Sequence, residues 1–135
     1  MKLVLIATML LAGTAASAQT VESAVGDWGN IPRIKAQGVH RMGFDWMDKM
    51  EALAKTRECE VQGFWPKKID LRVPFMVNFG KDGTVQRVVV RKLGCEKLET
   101  LVGGAILQLA QAGEYRPSGA NPGGWYRSEY DFVLQ

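Results

Sequence analysis

The sequence predicts an α+β fold, a two-layer sandwich in which two helices cover one face of a three-stranded antiparallel sheet in spatial order 2-1-3. Three observations predict it. Residues 42–54 and 98–110 repeat their apolar positions with the 3.6-residue period of a helix. Residues 71–79 and 125–134 alternate apolar and polar positions as half-buried strands do, and 85–91 is a third apolar-rich strand with less cleanly separated faces. Gly80-Lys81-Asp82-Gly83 joins two of these strands with the Asp-Gly step that a hairpin turn favours.

In chain order, residues 1–18 read as a secretory leader. Met1 and Lys2 form a basic start, 3–13 an apolar run, and Ala16-Ser17-Ala18 a small-residue cleavage site before Gln19. A bilayer-crossing helix needs about 20 apolar residues, and this run is shorter. No other long apolar run follows, so the expectation is an exported mature chain with no transmembrane segment, large enough for one compact domain. With 47% apolar and 23% charged residues, disordered and fibrous classes are excluded. Seventeen basic residues against 14 acidic ones give a net charge of +3, too weak and too mixed for a nucleic-acid binder.

Residues 19–38 contain Gly26, Gly29, Asn30, Pro32 and Gly38 and read as an irregular arm, pinned to the domain by Trp28 and Ile31. A helix is expected over 41–57. Met42, Trp46, Met47, Met50, Leu53 and Ala54 share one face, opposite Asp45, Asp48, Lys49, Glu51 and Lys55. Its methionine-rich stripe fits a core face, with an adaptable binding groove as the alternative. A connection follows over 58–70, where Pro66 disfavours helix at Trp65.

In the first strand Leu71, Val73, Phe75, Val77 and Phe79 face one way, and Pro74 must sit where no ladder donor is needed. In the second helix Leu98, Leu101, Val102, Ala105, Ile106, Leu109 and Ala110 fall on one face, with Glu96 and Glu99 in the first turn. Gly103-Gly104 inside it costs up to about 2 kcal/mol relative to two alanines, so close packing against the sheet or the first helix is the expected return. Gly113 stops the helix. A loop over 118–124 leads to the closing strand, where Tyr126, Ser128, Tyr130, Phe132 and Leu134 alternate with Trp125, Arg127, Glu129, Asp131 and Val133. A right-handed crossover through the second helix sets this strand beside the first.

Chemistry-bearing residues are few. Cys59 and Cys95 are the only cysteines, and export to an oxidising compartment favours pairing them. The loop so closed is worth roughly 3–4 kcal/mol in the chain-entropy picture. No C-x-x-C step supports redox catalysis, and two cysteines plus His40 are too few for a metal. His40, the single histidine, precedes a helix with no nucleophile motif in the chain. No catalytic residue, metal or cofactor is therefore expected.

Five pieces in order carry a resemblance over 65–134: Trp65-Pro66 before a strand, 73–79 followed by Asp82-Gly83-Thr84-Val85, Leu93-Gly94-Cys95-Glu96-Lys97-Leu98 at a helix start, Tyr115-Arg116-Pro117 after it, and the closing strand 125–134. Together they resemble the C-terminal domain of the TonB family. The resemblance implies a ββαβ core and a division into leader (1–18), arm and first helix (19–62) and TonB-like domain (63–135). It implies a non-enzymatic, periplasmic protein-binding module. In that family the closing strand is a sheet edge that accepts an extended peptide from an outer-membrane receptor, through main-chain hydrogen bonds. The corresponding edge here is Trp125, Tyr126, Arg127, Ser128, Glu129, Tyr130 and Asp131. Its partner would be an outer-membrane receptor or another envelope protein. TonB energy transducers also carry a membrane anchor and a long proline-rich spacer, where this chain has a cleavable leader and only five prolines. Force transduction therefore does not carry over. Three alternatives stand beside this: a charged edge that merely resists aggregation, a self-paired homodimer, and a small thiol or hydrolytic enzyme using the cysteines or His40.

Overall fold

The computed structural model describes residues 20–117 and 122–134, so the leader and loop positions 118–121 lie outside the described residues. The chain forms β1 (Thr20–Ala24), α1 (Phe44–Thr56), β2 (Phe64–Trp65), β3 (Lys68–Phe79), β4 (Val85–Arg91), α2 (Glu96–Gln111) and β5 (Gly124–Leu134). The architecture is α+β, with two helices and one sheet.

The sheet has five strands where three in the order 2-1-3 were expected. β3 is its axis. Along one side it pairs antiparallel with β5, from Ile69 opposite Leu134 to Phe79 opposite Gly124. Along the other it pairs with β4 and, at its start, with the two-residue β2. The expected neighbours of the first strand are thus present, but β4 is not an edge. β1, assigned to the irregular arm, adds parallel to it in the register Thr20 to Arg87. β1 is short and polar, and its pairing partner lies far along the chain, so no local pattern announces it. β2 was hidden by Pro66, which follows it in the tight turn that Lys67 completes at φ 64°.

Pairing geometry explains Pro74. The main chain of Arg127 points away from β3, so the alternation of an antiparallel ladder turns the Pro74–Glu129 pair the same way. The Pro74 nitrogen then faces the β4 side, where pairing ends at Phe75. At the other end of β3, the hairpin closes through Gly80 N–H to Thr84 O (2.8 Å), and Asp82 accepts from the Thr84 N–H (3.1 Å). Gly83 takes φ 81° there, a conformation that favours glycine.

One core joins the layers. Ile69, Leu71, Val73, Phe75, Val77 and Phe79 line the inner face of β3 and are buried with Val88, Val90 and Phe132. Leu98, Val102, Ala105, Ile106 and Leu109 of α2 close over them. α1 begins at Phe44, later than expected, because Gly43 takes the extended N-cap conformation. Its methionine stripe serves packing: Met50 and Ala54 are buried in the common core, and Met42, Trp46 and Leu53 pack against it.

Gly103 and Gly104 perform both expected tasks at once. A methyl group on Gly103 would overlap Val21 of β1, and one on Gly104 would come within 2.9 Å of the Trp46 ring of α1. Cys59 and Cys95 form the expected disulfide, with Cα atoms 5.4 Å apart, fastening the exit of α1 to the N-cap of α2. Beside it, the buried Glu99 carboxylate accepts the N–H groups of Leu93 (2.8 Å), Gly94 (3.0 Å) and Cys95 (3.3 Å). Burial opposes its charge, but these donors outweigh burial and hold its pKa below the ordinary carboxylate value.

Candidate binding edge on the closing strand

β5 lies along the outer side of β3, so its far side is the sheet edge on which the TonB-like expectation rests. The alternation within β5 divides the seven candidate residues. Tyr126, Ser128 and Tyr130 fall on the inner face: Tyr126 meets Phe79 edge-on at 5.8 Å, and Tyr130 lies 4.7 Å from Phe132. Met42 N–H donates to the Tyr130 hydroxyl, and burial raises the pKa of that phenol. Trp125, Arg127, Glu129 and Asp131 fall on the outer face. There Arg87 lies over the Trp125 ring at 5.3 Å, and Arg72 binds Asp131 at 2.9 Å and stands 3.8 Å from Glu129. These exposed pairs add little stability in water. They do place charge along the edge.

The arm occupies part of this edge. Residues 32–34 run beside β5, bridging Arg33 to Arg127 in parallel. Arg127 N–H donates to Pro32 O and Ile34 N–H donates to Arg127 O, both at 2.9 Å. The Arg127 side chain grips the same strap, its Nε donating to Ile31 O at 2.8 Å. Trp28 and Ile34 anchor the strap, at 8% and 7% exposure, while Ile31 is only half-buried. The expected pinning residue Ile31 therefore gives way to Ile34, which reaches the core.

Past β5 the strap is held by Glu114, a residue the sequence did not single out. Glu114 is buried at 3% exposure, just after α2. Its carboxylate accepts the N–H groups of Gly38 (2.5 Å), His40 (2.6 Å) and Val39 (3.2 Å), and its carbonyl accepts Gln37 N–H (2.8 Å). Burial works against the charge, but the three donors outweigh it and depress the pKa. No local signal could have found this clamp, because its partners lie more than seventy positions away. His40 stands beside it, Nδ1 3.5 Å from Glu114 Oε2, too far for a hydrogen bond.

Only Arg127 of β5 is bonded to the strap's main chain among the described residues. The groups of Glu129, Asp131 and Val133, which face outward by the same alternation, form an open window on the edge. Val133 is 47% exposed there.

No protein-family model, curated protein or solved structure matches the chain. Among the described residues, no cluster of His, Cys, Asp and Glu is placed to hold a metal, and no helix is long and apolar enough to cross a membrane.

Proposed function

We propose that the chain is a non-enzymatic periplasmic module with a TonB-like domain that engages an envelope or outer-membrane transport protein by β-strand addition on β5. The observation that carries this reading is the window at residues 129–133. It is a stretch of edge main chain whose outward groups have no main-chain partner among the described residues, backed by a long, continuous pairing with β3. The strap supports this reading, since the chain's own Arg33 bridges Arg127 in parallel on the same edge. An incoming strand fits within the window, or extends along β5 by displacing the strap. The Arg72–Glu129–Asp131 network gives the rim a polar face that would discriminate among peptides.

A photo-crosslinking side chain at Glu129 tests this in the native host, with one at Lys49 on α1 for comparison. Capture of an outer-membrane protein segment from Glu129 and not from Lys49 supports the reading. Capture of only a second copy of the chain would make the edge a dimer seam instead. Asp131→Pro removes an outward donor, so a folded variant that still captures the same partner would rule out strand addition.

A further inference from the structure

We propose that the outer face of the sheet carries a small-oxyanion site, built by Arg33, Arg91 and Arg127 beneath the strap. These three residues line a cavity of about 220 Å³ together with Trp28 and Pro74. The arginines come from three separate elements, the strap, β4 and β5. None of them has a carboxylate oxygen within the 4.0 Å of an ion pair among the described residues. Two acids also border the cavity, each with a partner of its own, and the three arginines outnumber them. Asp27 accepts Gly29 N–H at 2.9 Å, and Glu129 is drawn toward Arg72.

Arg91 and Arg127 are each held by one hydrogen bond that leaves further guanidinium donors. Arg91 Nη2 donates to Gly26 O at 3.1 Å, and its guanidinium lies 4.6 Å from the centre of the Trp28 ring. Its Nε is buried without a hydrogen-bond partner. An unpaired buried donor of this kind costs about 1–3 kcal/mol. Arg127 spends its Nε on Ile31 O, and Arg33 is exposed at the mouth. Three arginines bordering one small space are suited to a planar or tetrahedral oxyanion, which accepts several N–H bonds at once. The cavity lies below the roughly 300–1,000 Å³ of drug-sized ligand pockets, so the group it holds is small: a phosphate or a carboxylate. Trp28 and Pro74 offer an apolar wall to whatever carries that group.

This site lies beside the β5 window and does not depend on strand addition there. Calorimetric titration of the exported chain at low ionic strength tests it, with inorganic phosphate in one arm and acetate in the other. Saturable binding is expected in at least one arm, with a dissociation constant of about 1 mM or below. Arg33→Gln and Arg127→Gln should each weaken it about tenfold or more. Arg87→Gln, which removes an outer-face arginine paired with Glu22, should leave it unchanged. Binding in the phosphate arm alone assigns a tetrahedral anion, and binding in both assigns a site that also takes carboxylates. Arg33 is exposed and makes no side-chain bond, so its variant keeps the fold and remains interpretable. Lack of saturable binding in both arms would overturn the proposal. Equal weakening by Arg87→Gln would do so too, since it would mark a diffuse basic surface.

Discussion

Gly103→Ala is the substitution whose outcome the structure constrains most closely. In an open helix the change would stabilise, by about 1 kcal/mol of helix propensity. Here the added methyl overlaps Val21 Cγ1 and comes within 3.6 Å of Val90 Cγ1. Val21 is β-branched and sits in β1 opposite Val88, so it has little rotamer freedom with which to yield. Overpacking of this kind costs about 1–3 kcal/mol. The net expectation is a loss of about 1 kcal/mol, read as a lower urea midpoint with an unchanged slope and the disulfide intact. Truncating the neighbour should reverse the sign. In a Val21→Ala background the overlap disappears, and Gly103→Ala should stabilise by about 1 kcal/mol. Gly104→Ala meets the far end of the Trp46 ring, which can tilt, and should be closer to neutral. A Gly103→Ala protein more stable than its parent, or one with the same effect in both backgrounds, would show that β1 does not press on α2 as described.

Other perturbations follow from the strap and the disulfide. The Glu114 pKa is depressed in the folded chain, so its contribution is complete above the ordinary carboxylate value and is lost as pH falls through the lower folded value. Protection factors of the Gly38, Val39 and His40 amides should therefore fall in acid, and Glu114→Gln should show that low protection already at neutral pH with a loss of about 1.5–3 kcal/mol. Ile34→Asp places a charge in the core and should cost about 2–4 kcal/mol. Its signature is lost protection of the Arg127 amide, and retained protection would mean the strap is held without Ile34. Replacing Cys59 and Cys95 with serine should cost roughly 3–4 kcal/mol, measured by chemical denaturation against the oxidised parent.

What was legible in the sequence was what depends on neighbours in the chain. The alternation of Leu71 to Phe79, the Asp82-Gly83 turn and the apolar face of Leu98 to Ala110 each encode their element locally, and all three formed. The two glycines of α2 were readable as a close approach because their propensity cost demanded a return. β1 was not readable. Its five residues carry no strong alternation, and they are ordered by β4 and α2 rather than by themselves. The strap was missed for the same reason. Residues 31–34 have no period, and their geometry is set by the main chain of Arg127. Ile34 and Ile31 are chemically equivalent in the sequence, and only the path of the backbone over β5 decides which reaches the core. The open window at 129–133 is likewise a remainder, defined by where the strap stops.

The arm also sets an order of events. Its first strand is tied to β4 by the Glu22–Arg87 side-chain bond across 65 positions, and its strap to β5 by the Arg127 Nε bond to Ile31 O across 96. The arm is therefore synthesised before its partners and placed only after them, because closing such long loops precedes any reward from the contacts. Until then both flanks of the sheet, β4 on one side and β5 on the other, are unpaired and open to neighbouring chains. A single stretch, residues 20–34, closes both, so a fault in it would expose two sticky margins at once. In pulse-labelled refolding, the amides of Val21 and Ile34 should gain protection after those of β3 and α2, and slower still when Ile34 is replaced.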